Sequence, residues 1–276
     1  MKQLTQIVCV LMFGFAASVC CQSAEAAEEQ DDDKADKTKY KDFPASPLDK
    51  PGWELTAHDE FDGPELNEEL WIAEYMPGRF GNQDPPAVKA RYYFKDGKIH
   101  LSANGEQNFY KKHHTVSSLQ TFNCNQLHKW YARWAPTVDK FTQLYGYYEI
   151  RAKHVGPSHH VAFWALQAKP GGAEIDITED KHKVDPSWHS WGAEGWPTER
   201  TKVQSYDDIT TPEQRAATFN LYALEVTEDG TRIYHNNELV EETKVDWKAH
   251  DETPLMFFLS IYGEDRPEKQ EYVIDY

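Results

Sequence analysis

Six consecutive residues, Glu174-Ile175-Asp176-Ile177-Thr178-Glu179, carry three carboxyl groups within a β-rich stretch. On a regular strand, side chains alternate between faces, so Glu174, Asp176 and Thr178 share one face and Glu179 takes the other. A β-bulge adding one residue after Asp176 returns Glu179 to the face of Glu174 and lines up three carboxylates. The outer two backbones would then stand roughly 13 Å apart, four steps of about 3.3 Å, a gap that long glutamate side chains on a concave sheet can largely close. Two carboxyls about 5 to 5.5 Å apart are what retaining glycoside hydrolysis needs, one as nucleophile and one as acid, then base. The competing reading is a solvated strand face on an acidic chain.

Other residues near this stretch could take part in binding. Trp164, Trp188, Trp191 and Trp196 offer flat apolar rings that match the C–H faces of pyranoses, although large aromatics also serve as core. His160 lies one strand before the acids and joins them as a candidate contact, with simple exposure beside the Gly156-Pro157-Ser158 turn as the alternative. No His-x-x-x-His or Cys-x-x-Cys spacing occurs, so a catalytic transition metal is not expected. Cys124 has no base nearby in sequence and reads as a buried thiol rather than a nucleophile.

The elements that must position these residues read as strands. Period-2 or β-rich runs recur at 53–55, 90–94, 98–102, 146–153, 160–167, 173–178, 220–226, 231–235 and 255–261, with turn signals such as Asp96-Gly97 and Asp229-Gly230 between them. Only Thr211-Pro212-Glu213-Gln214-Arg215 starts like a helix, with a capping residue and proline at the first helical position. Many strands with few helices to cover parallel crossovers predict an all-β antiparallel sandwich.

The chain has 276 residues, with 9 Trp and 15 Tyr, enough for one large domain with a buried core. Residues 1–26 read as an export signal: Lys2, then a mostly apolar run from Ile7 to Cys21, then Ala24-Glu25-Ala26 as a small-x-small cleavage pattern. Secretion or periplasmic export is therefore expected, with a lipid anchor at Cys20 or Cys21 as the weaker reading. Three of the 4 cysteines lie in this segment, leaving Cys124 alone and no intramolecular disulfide in the mature chain. Residues 27–50 read as a disordered acidic linker, and the folded domain is expected over 51–276. The net charge of −17 argues against a nucleic-acid partner, and no later apolar run approaches the roughly 20 residues of a membrane span. A monomer is expected.

The carboxylate motif, Glu-x-Asp-x-x-Glu, resembles that of glycoside hydrolase family 16. Trp53-Glu54-Leu55 with Asp59-Glu60-Phe61-Asp62-Gly63 looks like the family's opening strand and turn, and Tyr145 to Lys153 with Ala162-Phe163-Trp164 resembles the two strands before the catalytic one. Asn220 to Glu225 and Ile274-Asp275-Tyr276 also fit, so the resemblance covers about 53–276. It departs at Glu225-Val226, at Asn236-Asn237 in place of an Asp-Gly hairpin, and at the chain's end, where the family continues for several strand residues.

The resemblance implies a jelly-roll, concanavalin A-like sandwich of two bent antiparallel sheets with a substrate cleft on the concave face. It implies endo-acting attack on a β-linked polysaccharide, with Glu174 as nucleophile, Glu179 as acid and base, and Asp176 orienting Glu174. A β-1,3- or β-1,3/1,4-glucan is the first expected substrate and a galactan of the agar, porphyran or carrageenan type the second; in the latter case Lys181, His182 and Lys183 would face sulfate. A non-catalytic glycan-binding module on the same sandwich is the alternative of another class. The resemblance further suggests no cofactor for catalysis but a structural Ca²⁺ held by Glu60, the Gly97 backbone and Asp275.

Overall fold

The computed structural model describes residues 40–75, 88–103, 114–128, 135–155, 160–180, 186–189, 199–264 and 270–276. Two antiparallel sheets dominate. The smaller has five strands, in the order Ser187–His189, Glu174–Asp180, His160–Gln167, Leu255–Glu264 and His114–Gln120. The larger has eight: Glu199–Lys202, Glu238–Lys244, Gly230–His235, Asn220–Thr227, Gly146–Val155, Glu271–Ile274, Ile99–Ser102 and Tyr92–Phe94. The sequence-predicted all-β sandwich is what forms, a jelly roll.

The two sheets share one apolar core. Val161, Phe163, Ala165, Ile175, Ile177, Phe257 and Leu259 come to it from the smaller sheet, and Ile99, Leu101, Ile150, Ala152, Leu224, Ile233 and Ile274 from the larger. Alternation does the rest: on the His160–Gln167 strand, Ala162, Trp164 and Leu166 join a separate cluster on the opposite face of the smaller sheet. That opposite face carries the site described below.

Turn chemistry fixes the hairpins. Asn236 and Asn237, at φ 50° and 65°, connect Gly230–His235 to Glu238–Lys244 in the left-handed backbone that asparagine tolerates. Gly230, at φ 143°, passes so close to the neighbouring strand that a Cβ would sit 2.0 Å from the Thr243 carbonyl oxygen. The helix forms over Pro212–Ala217, and the Thr211 hydroxyl accepts from the Gln214 N–H at 3.2 Å.

Two expectations are corrected at the N-terminal side. Residues 27–50 were expected as linker, yet Phe43 and Ser46 within them are tied to the larger sheet and its flanks. The Phe43 N–H donates to the Phe219 carbonyl at 2.9 Å, the Arg151 Nε–H donates to the Phe43 carbonyl at 2.9 Å, and the Ser46 N–H donates to the Tyr276 hydroxyl at 2.8 Å. Charge-rich composition signals solvation, but it carries no information about backbone groups that find partners on a distant strand. The segment 53–55 forms no strand; Trp53 instead stays 38% exposed and packs against Tyr147 at 5.9 Å between ring centroids.

A buried histidine makes the fold sensitive to acid. His235 is 0% exposed, with Nδ1 3.1 Å from the Leu221 carbonyl and Nε2 2.7 Å from Thr210 Oγ1. The carbonyl can only accept, so Nδ1 carries the proton and Nε2 accepts from the threonine. Burial, helped by the charge of Arg215, pushes its pKa down to about 3. The unfolded chain therefore binds a proton that the folded chain refuses between about pH 6.5 and 3, and stability falls as pH drops through that window. Unfolding at pH 5 is expected to be about 2 kcal/mol easier than at pH 7.5 from this group alone. Denaturant titrations of wild type and His235→Gln at both pH values check this; the variant should lose that part of the slope.

Candidate active site

The bulge expected after Asp176 is present in the Glu174–Asp180 strand. Glu174, Ile175 and Asp176 pair with Leu166, Ala165 and Trp164, the register then slips, and Thr178 and Glu179 pair with Phe163 and Ala162. Directly paired residues share a face, so Glu174, Asp176 and Glu179 fall in the rows of Leu166, Trp164 and Ala162, the face away from the core. Ile175 and Ile177 both stay in the core. Without the extra residue Glu179 would lie beneath the sheet.

A buried tyrosine answers the bulge. The Tyr206 hydroxyl, from the short helix Tyr206–Ile209, donates to the Ile177 carbonyl. A bulged residue leaves the ladder, and its carbonyl needs a partner elsewhere. Tyr206→Phe leaves that acceptor without this donor at an expected cost of about 1–3 kcal/mol, read as a lower denaturation midpoint.

The carboxylates stand over a packed floor. Trp164 stacks on Phe258 at 3.9 Å with 9° between planes, and its Nε1–H donates to Ser260 Oγ at 3.1 Å. Ser260 in turn shares a hydrogen bond of 2.8 Å with Ser118. At 3% exposed, Trp164 is part of that floor, which corrects its expected use as an open stacking ring. Trp188 is the register partner of Ile175, and Ser187 and His189 oppose Asp176 and Glu174. Trp191, Trp196 and the 181–183 cluster lie outside the described residues.

Each glutamate has a histidine beside it. His160 Nε2 lies 2.5 Å from Glu179 Oε1, and the ring packs on Tyr262 at 4.5 Å between centroids. His128 Nε2 lies 3.2 Å from Glu174 Oε2. Sequence reasoning missed His128, which lies between the expected strands 98–102 and 146–153. No local signal marks it, because its partner is 46 residues away. Cys124 is buried in the same apolar cluster as Trp164, and burial pushes its thiol pKa up, against a nucleophilic role.

The expected calcium donors do not suit a cation. Asp275 Oδ1 is 2.9 Å from Lys98 Nζ and Oδ2 is 2.5 Å from Arg151 Nη1, so two positive side chains already face the carboxylate an ion would use. Glu60 lies 3.7 Å from His58 on an exposed segment, and Gly97 shapes the turn before the Ile99–Ser102 strand at φ 64°. Among the described residues no group of three or more His, Cys, Asp or Glu is placed to hold a metal.

The described residues form a jelly-roll sandwich with a bulged strand that carries three carboxylates on the face away from the core. No protein-family model and no curated protein sequence matches the chain. Solved structures do. An endo-β-galactosidase from Clostridium perfringens that releases GlcNAcα1-4Gal superposes with a TM-score of 0.69 at 26% identity, over 85% of this chain and 64% of that one. A laminarinase from a Flavobacterium species matches at 0.54 and 25% identity, over 80% of this chain and 97% of that one. A non-specific endo-β-1,3(4)-glucanase from family 16 matches at 0.53 and 19% identity, over 79% and 86%. The chain has the fold of glycoside hydrolase family 16. It spans about two thirds of the Clostridium enzyme's length.

Proposed function

We propose that the chain is an endo-acting hydrolase of a β-linked glycan that retains anomeric configuration. The observation that carries this reading is the bulge, which puts Glu174 and Glu179 on one face of one strand with Asp176 between them. Glu174 attacks the anomeric carbon, forming a C–O bond as the glycosidic bond breaks, and its electron pair leaves on the aglycone oxygen, which takes the proton of Glu179. Glu179, now a carboxylate, accepts a proton from water as that water's oxygen bonds to the anomeric carbon and the Glu174 ester breaks. Asp176, buried between them, orients Glu174. The leader read in residues 1–26 supports export to the periplasm or medium. Among the described residues no helix is long and apolar enough to cross a membrane.

A β-1,3- or β-1,3/1,4-glucan is the first substrate reading. A galactan of the agar, porphyran or carrageenan type is the second, and the 26% identity to an endo-β-galactosidase supports keeping it. A reducing-end assay on laminarin, lichenan, agarose, porphyran, carrageenans and mucin O-glycans decides between them. Internal cleavage of at least one of these is expected, and release of no oligosaccharide from any would defeat the proposal.

A further inference from the structure

We infer that His128 is a positioning residue that donates a hydrogen bond to Glu174 and thereby directs attack to the other carboxylate oxygen, an inference that rests on the proposed role of Glu174. The geometry is specific: Nε2 of a histidine only 4% exposed lies 3.2 Å from Oε2 of Glu174. An ionised carboxylate can only accept, so the histidine presents its Nε2–H. With Oε2 held, Oε1 is the oxygen that bonds to the anomeric carbon.

The chain around His128 is built to fix that ring. Leu127 is 0% exposed and anchors the turn in the apolar cluster that also contains Cys124, Trp164 and Leu166. The Leu127 N–H donates to the Cys124 carbonyl at 3.2 Å, closing the turn. Gln126 adopts φ 58°, a backbone conformation that side chains other than glycine take at a cost, and its carbonyl accepts from the Gly171 N–H at 2.8 Å. Gly171 lies three residues before Glu174, so this turn is tied to the lead-in of the carboxylate strand itself. A strained residue, a buried anchor and a cross-loop bond all converge on the position next to His128. They hold the imidazole to the nucleophile as the register holds the carboxylates to one another.

The bond matters most while charge on Glu174 changes. In the first step the carboxylate gives up its negative charge to the new ester, and a fixed donor on Oε2 keeps the rotamer that presents Oε1. In the second step the electron pair returns to Glu174 as the ester breaks, and the same donor receives the charge without reorganisation.

Two variants separate positioning from packing. His128→Leu fills much of the space but has no donor, while His128→Gln keeps an N–H within comparable reach. On the polysaccharide the wild type cleaves fastest, kcat of His128→Leu is expected to fall about 10- to 100-fold with KM within about twofold, and His128→Gln is expected to recover most of the loss. Equal loss in both variants, a change confined to KM, or no loss in either overturns the inference. A second readout needs no substrate: in ¹⁵N-labelled protein the His128 Nε2–H resonance is expected to move on Glu174→Gln, and an unmoved resonance overturns the pairing. Should the wild type cleave no glycan, the proposed function fails on its own, and the resonance still decides whether His128 donates to Glu174.

Discussion

Glu174→Ala is expected to lose activity on polysaccharide by a factor on the order of 10⁴ or more, the largest effect of any single substitution here. The variant retains Glu179 and the fold, because Glu174 lies on the face away from the core and only its side chain is removed. Added azide can then enter only from the face that the carboxylate occupied, with Glu179 still protonating the leaving oxygen. A single displacement from that face gives a product of inverted configuration, the α-glycosyl azide. Mass spectrometry and proton coupling constants of the product check both the bond and its anomer.

Glu179→Ala is expected to behave differently with leaving group. On polysaccharide it should fall by roughly 10²- to 10⁴-fold, the usual contribution of a positioned acid. An aryl glycoside whose leaving group needs no proton should still be attacked by Glu174, and the glycosyl-enzyme should accumulate because no base activates water. Azide needs no base and should release it as the β-glycosyl azide, so the two variants yield opposite anomers. The same anomer from both, or wild-type activity on polysaccharide in either, contradicts the assignment of the pair.

What the sequence made legible, and what it hid, follows from the range of the forces involved. The strand His160–Gln167 is readable to the residue because a run of apolar and β-branched side chains is a local signal. The bulge is inferable because six residues contain both the pattern and its defect. The Asn236-Asn237 turn is legible for the same reason, since the left-handed preference belongs to the residues themselves.

The misses are long-range. His114–Gln120 reads as polar, yet Ser117 and Ser118 are buried because they find partners on other strands: Ser117 donates to the Ser102 carbonyl at 2.6 Å, and Ser118 meets Ser260, 142 residues away. Glu238–Lys244 looks like a solvated charged run, but Arg200 holds the buried Glu241 with contacts of 3.0 and 2.7 Å. Tyr206 reaches the bulge across 29 residues, and Lys98, in the turn before one strand, and Arg151, within another, reach Asp275 through a strand order that no local pattern states. The motif's carboxylates were visible in one line of sequence, whereas the histidines that face them depend on register.

The central claim is a double displacement at Glu174 and Glu179, and the anomer of the first product tests it most directly. Proton NMR of wild-type enzyme acting on the glycan it cleaves, recorded before mutarotation, is expected to show the β-anomer of the new reducing end first, with the α-anomer growing only later. An initial α-anomer would mean a single displacement with inversion and would contradict the account.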